Sequence, residues 1–276
     1  MQVILQILCG AAALYAVVVG YLYFGQRSLM YHPEGPAGPP AAADLPQAEE
    51  IQVKTRDGLS LLSWYVAPQQ GQPVILYFHG NAGTIADRAY KARIFAAQGF
   101  GVLLAEYRAY GGNAGTPSER GLYEDARANL SWLAGKGVQA KDVVIYGESL
   151  GTGVGVQLAY EAAREGAPVR AVVLEAPFTS MPDAAGYHYP WAPVGLLTKD
   201  RFETKQKIAE IGAPLLVIHG ERDATVPQDH GRRLFDLAKD PKQAAWLPSA
   251  GHADLFDHGA GEAAISFISS IPAKDG

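Results

Sequence analysis

The chain is almost without cysteine. Cys9 is the only one in 276 residues, so no intramolecular disulfide can form. No CxxC pair and no Cys/His cluster is present to hold zinc. Basic residues are not in excess: 23 Lys and Arg stand against 28 Asp and Glu, a formal net charge of -5. That balance argues against a nucleic-acid binder, which needs a basic face. Internal repeats and heptad runs are missing too, which removes solenoids and coiled coils. With 48% hydrophobic and 18% charged residues, what remains is globular, long enough for one large domain or two small ones.

Charge is also missing from residues 3–24, "VILQILCGAAALYAVVVGYLYF", where only Gln6 is strongly polar. As a helix this stretch is about 33 Å long, enough for a hydrocarbon core of about 30 Å. Tyr21, Tyr23 and then Arg27 stand at its end, as residues of a membrane interface do. A cleaved signal peptide would carry a basic start, but "MQVILQ" has no Lys or Arg. A lipoprotein signal would place a small residue before the cysteine, and here it is Leu8. A buried core helix is the remaining alternative, disfavoured by apolarity all round. The expectation is a single-pass membrane anchor at 1–26, with Cys9 an inert apolar thiol. Residues 27–48 follow as a tether; 33–48 hold five prolines and two glycines and cannot continue a helix.

From residue 49 to about 272 the chain alternates. "IQVKT" and "LSLLSWYV" flank Asp57-Gly58, a hairpin signal. "PVILYFHG", "FGVLLAEY", residues 143–146, "VRAVVLEA", "APLLVIHG" and "AAWLP" are short apolar runs of buried-strand type. Helix-like stretches separate them: 85–98, one capped by Thr116 with Pro117 and Glu119, 150–165, one begun by the similar Thr225–Gln228 pattern, and a last one at 254–268. Such alternation predicts a mostly parallel sheet with helices on both faces. Ligands in such sheets bind beyond the carboxyl ends of the strands.

The loops at those ends carry chemistry. Gly147-Glu148-Ser149-Leu150-Gly151 follows 143–146, Asp223 lies in "HGERDATVP", and His252 lies in "SAGHADLF" after the last strand. A serine hydroxyl is a poor nucleophile at neutral pH. It needs an imidazole to take its proton and a carboxylate to hold the imidazole's tautomer and stabilise its cation. Ser149, His252 and Asp223 are therefore the candidate nucleophile, base and orienting acid. Among seven histidines, His32, His230 and His258 lack a matching loop; His79 and His219 are read as structural, and His188 as part of a lid. Glu221, Asp229 and Glu175 are rivals to Asp223. Asp254 and Asp257, read with His252 and His258, lack a metal-ligand spacing, so neither metal nor cofactor is expected.

The order G-x-S-x-G, Asp, His on a strand–helix alternation resembles the α/β-hydrolase fold. The finer resemblance is to the Bem46-like (ABHD13/ABHD17-type) serine hydrolases, whose blocks "YFHGNAG", "EYRAYGGNAGTPSE", "GESLGTG", "LEAPFTS", "HGERDATVP" and "SAGHADLF" are similar to, over residues 22–268. Glu106, Ala109 and Asn113 depart from the usual Asp, Gly and Ser. The resemblance implies an oxyanion hole from the backbone N–H groups of Asn81 and Leu150, and an acyl ester or thioester substrate. Tyr110 and Arg108 are candidates to shape the pocket, Arg108 also for a structural ion pair. Residues 177–203 hold Tyr187, His188, Tyr189 and Trp191 and are expected to form a short lid for an acyl or lipid-like substrate. Amide or carbon–carbon cleavage on the same residues, or a scaffold without activity, are the alternatives.

Overall fold

The computed structural model describes residues 1–272 and opens with one helix of 29 residues, α1 (Gln2–Met30). None of its residues is buried; Val3, Leu14 and Val17 are about two-thirds exposed. The helix stops where Pro33 forces the preceding residue into extended backbone. It is long and apolar enough to cross a membrane.

Then come β1 (His32–Pro33), a single 3-10 turn at Pro40–Ala43, and the hairpin β2 (Glu49–Lys54) and β3 (Ser60–Val66). The succession continues with β4 (Val74–Phe78), a two-residue β5 (Ala82–Gly83) paired with β1, α2 (Ala89–Ala97), β6 (Gly101–Ala105) and α3 (Glu119–Gly135). After these stand β7 (Val143–Glu148), α4 (Leu150–Arg164), β8 (Ala171–Glu175), α5 (Met181–His188) and α6 (Val194–Leu197). The last elements are β9 (Leu215–Gly220), α7 (Asp229–Leu237), β10 (Lys242–Leu247) and α8 (Ala260–Ser270).

Eight strands form one sheet in the order β10-β9-β8-β7-β4-β6-β3-β2. All pairs are parallel except those made by β3, which runs antiparallel to both β2 and β6. Alternate residues of each strand face opposite layers, as a period of two requires. Leu76, Phe78, Ile145 and Leu174 pack under α3 and α4, whereas Ile75, Tyr77, Tyr146 and Val173 pack under α2 and α8. Helices therefore cover both faces, as the alternation predicts.

Register aligns the strand ends. Phe78 pairs with Gly147, Glu148 with Glu175, and Leu247 with Gly220. The loops that begin at His79, Ser149, Ala176, Glu221 and Pro248 thus open along one edge. β4 is flanked by β6 and β7, so the chain reverses its strand order there, the position where a crevice forms in such sheets.

Three helix boundaries differ from the sequence reading. The cap of α3 is Ser118, not Thr116: its hydroxyl accepts the Gly121 N–H at 3.1 Å. Glu119 is used elsewhere, accepting from the Arg201 N–H and the Tyr123 hydroxyl. The Thr225–Gln228 pattern caps nothing, because the Asp223 carboxylate takes the Thr225 and Val226 N–H groups and α7 begins only at Asp229. The stretch 254–268 is broken at Gly259, whose φ of 98° no helix allows; a 3-10 turn precedes it and α8 follows.

Candidate active site

Ser149 sits between β7 and α4 with φ 48° and ψ -113°. A left-handed φ at a non-glycine residue is strained and persists only where the surroundings over-determine it. Here they do. The Ser149 N–H donates to the Glu175 carbonyl at 2.9 Å, and the Ser149 carbonyl accepts from the Thr152 hydroxyl at 2.6 Å. The flanking glycines are needed for close approach: a Cβ on Gly147 would lie 2.6 Å from the Gly151 carbonyl oxygen, and one on Gly151 would collide with the Phe78 carbonyl.

The turn presents the hydroxyl to His252. Ser149 Oγ lies 2.9 Å from His252 Nε2, and His252 Nδ1 lies 2.7 Å from Asp223 Oδ2. A carboxylate only accepts, so Nδ1 carries the proton and the bare lone pair of Nε2 faces the hydroxyl. Asp223 is held by four donors. Burial alone would raise its pKa, but hydrogen bonds from His219, His252 and the Val226 N–H hold it well below the usual carboxylate range. It therefore stays ionised beside the imidazole.

Of the rivals to Asp223, Glu175 is occupied, together with its neighbour Glu148. Glu175 and Glu148 accept from the buried Lys91 ammonium at 2.9 Å each, and Glu148 also takes Arg88 at 2.6 Å. The Tyr77 hydroxyl donates to Glu148 and the Tyr146 hydroxyl to Glu175. Burial would neutralise Glu148, yet Lys91 and Arg88 keep its pKa well below the ordinary value. Two cations and two carboxylates thus form a balanced buried cluster directly behind the turn. Sequence reasoning missed this cluster, because Lys91 reads as an ordinary surface lysine of a helix.

The loop after β4 is fixed from behind. His79 is fully buried, with Nε2 2.7 Å from Glu106 and Nδ1 2.8 Å from the Gly80 carbonyl. The Tyr107 hydroxyl donates to the His79 carbonyl and the Tyr110 hydroxyl to the Asn81 carbonyl. Tyr110 therefore does not belong to the pocket surface, contrary to the sequence reading: it is fully buried, its ring packed beside His79 and its hydroxyl used on the loop. Arg108 is equally remote, forked between Asp125 and Asp57. Among the described residues neither the Asn81 nor the Leu150 backbone N–H has an acceptor, and both residues line the cavity that holds Ser149.

That cavity has a volume of about 410 Å³ and a mostly apolar lining. Its lining includes Ser149 and His252, and the apolar side chains of Phe178 and Met181. The expected lid, 177–203, forms α5 and α6 over it. His188 Nε2 donates to the Thr225 carbonyl at 2.8 Å, pinning α5 to the loop that carries Asp223. His188 and Tyr189 line the cavity, while Tyr187 and Trp191 are not part of its lining and are 57% and 50% exposed. Another wall is unforeseen: Val19, Leu22, Gln26 and Met30 of α1. Among the described residues no group of three or more His, Cys, Asp or Glu is placed to hold a metal ion.

No protein-family model matches the chain. An uncharacterized protein of Mycobacterium tuberculosis is 40% identical over 240 residues, 86% of this chain and 84% of its own length. A lysophosphatidylserine lipase, ABHD12 of Danio rerio, is 34% identical over 195 residues, which is 65% of this chain and 51% of the lipase. Among solved structures, an alpha-beta hydrolase from Vibrio vulnificus has a TM-score of 0.70 at 22% identity, covering 83% of each chain. An esterase from Pyrococcus furiosus has a TM-score of 0.68 at 17% identity, covering 87% of this chain and 97% of its own. The chain belongs to one family with the mycobacterial protein, and its fold is that of the α/β-hydrolases.

Proposed function

We propose that this is a membrane-anchored serine hydrolase of the Bem46-like kind that cleaves acyl ester or thioester bonds through an acyl-Ser149 intermediate. The reading is carried by the unbroken hydrogen-bonded line from Asp223 through His252 to Ser149, the last two lining an apolar cavity. The six sequence blocks support the finer grouping, the exposed apolar face of α1 supports the anchor, and the zebrafish relative's lipase name fits an acyl ester.

Chemistry follows from the geometry. Ser149 Oγ attacks the acyl carbon while His252 Nε2 takes its proton, and Asp223 stabilises the imidazolium. Charge on the carbonyl oxygen is met by the Asn81 and Leu150 N–H groups, with the N-terminus of α4 adding its dipole. Collapse expels the alcohol or thiol, which receives the proton from His252. Water, activated by the same imidazole, then releases the acid.

Ser149→Ala is expected to lower ester turnover by about a thousandfold or more while the chain keeps its thermal transition. The measurement is hydrolysis of a panel of acyl esters, thioesters and amides by full-length protein in detergent. Unchanged ester turnover in that variant contradicts the reading; activity confined to amides moves the substrate class.

A further inference from the structure

We infer that the C-terminal half of α1 is a wall of the acyl-binding site, and that the substrate is a single-chain acyl amphiphile entering along this helix from the bilayer. The inference rests on the serine-hydrolase reading and deepens it by naming the substrate class.

Three observations carry it. The first is the face that α1 turns to the domain. Tyr15, Val19, Leu22, Gln26 and Met30 follow one another at intervals of three or four, so they share one side of the helix. The Tyr15 hydroxyl donates to the Trp191 carbonyl at 3.1 Å. Gln26 donates to the Leu197 carbonyl and accepts the Lys199 N–H at 2.7 Å. Val19, Leu22, Gln26 and Met30 of that face line the same cavity as Ser149 and His252.

The second is length. A helix of 29 residues is about 43 Å long, some 13 Å more than the hydrocarbon core. The face tied to the domain, from Tyr15 to Met30, takes about 23 Å of that length, more than the surplus. The docked half of α1 therefore overlaps the depth of the lipid, and the apolar wall of the cavity continues into the lipid-facing surface.

The third is the surface around that junction. Phe24 is 81% exposed, Leu196 88% and Trp191 50%. Lys199 lies 4.1 Å from the centre of the Tyr23 ring. Exposed aromatic and aliphatic residues rimmed by lysine are what a membrane interface receives, and on a soluble face they would be costly. The lid is thus seated on the bilayer with the cavity mouth beside α1. An apolar cavity of about 410 Å³ suits one acyl chain, with the ester at Ser149 and the polar head toward the interface.

The test uses full-length protein in phosphatidylcholine vesicles and a series of para-nitrophenyl esters from butyrate to palmitate. Val19→Trp and Leu22→Trp fill the wall; Leu5→Trp, on a lipid-exposed turn far from the cavity, is the control. The palmitate-to-butyrate ratio of kcat/KM is expected to fall about tenfold or more in the two wall variants and to stay at the wild-type value in the control. Wild-type turnover of the palmitoyl ester should follow its mole fraction in the bilayer. Labelling of Ser149 by a fluorophosphonate at the wild-type rate shows that each variant is folded. A folded wall variant with an unchanged ratio overturns the inference while leaving the hydrolase reading intact, as does turnover that ignores surface dilution. A variant too unstable to label is replaced by Val19→Phe and Leu22→Phe under the same criterion. A wild-type chain that neither labels nor hydrolyses any ester removes both.

Discussion

Ionisable side chains at the site are used in pairs, and their charge states follow from their partners. Asp223 and Asp183 are both depressed carboxyls. Burial would raise Asp183, but Lys205, the Thr179 hydroxyl and Ser180 bring it to about 2. A carboxyl whose folded value is depressed contributes stability above its unfolded value, near 3.9, and that contribution is lost as pH falls through the folded value. The denaturation midpoint should therefore hold down to about pH 5 and fall between about pH 4 and pH 2. Asp183→Asn should make that acid limb shallower; an identical limb in the variant contradicts the assignment. At this scale the sequence was informative about Ser149, Asp223 and His252, whose loops have a strand on one side. It was misleading about Tyr110, because a tyrosine beside glycines reads as exposed whereas its hydroxyl is needed on the Asn81 carbonyl.

Elements were legible in kind more than in extent. Strands are short continuous apolar runs, and every one of the six predicted between 73 and 248 is in the sheet. Caps were less legible, since Thr116 and Ser118 are equally able acceptors and only the tertiary use of Glu119 decides between them. What ties α2 to β7 and β8 was not legible at all. Lys91 reaches Glu148 at the end of β7, next to the strained turn, and Glu175 at the end of β8, whose carbonyl accepts the Ser149 N–H. Lys91→Met leaves two buried carboxylates with only Arg88 to offset them. The expected cost is about 3 kcal/mol or more in denaturant unfolding, with slower labelling of Ser149. A variant as stable as the wild type, labelling at the same rate, contradicts that role.

At the scale of the whole molecule, the apolar helix α1 and the α/β domain are joined at the site itself. The Asn81 side chain donates to the Met30 carbonyl at 3.0 Å, and β1 pairs with β5 just beyond, so the end of α1 is tied to the loop that offers the Asn81 N–H. Arg27 forks onto Asp200 at 2.7 and 3.0 Å, and Asp200 is only 3% exposed. The sequence could not show this, because a helix apolar on all sides hides which face docks. Arg27→Ala strands the Asp200 carboxylate. It should lower the thermal midpoint by several degrees and weaken turnover of long-chain esters more than short ones. A midpoint equal to the wild type's would mean that the pair does not hold α1 in place.

The central claim is that Ser149 is the nucleophile, activated through His252 and Asp223. Its most direct measurement is labelling of the full-length protein in detergent with a fluorophosphonate, followed by peptide mapping. The account predicts a single adduct on the peptide containing Ser149, lost in Ser149→Ala and strongly slowed in His252→Ala. An adduct on another residue, or none on folded protein, would contradict it.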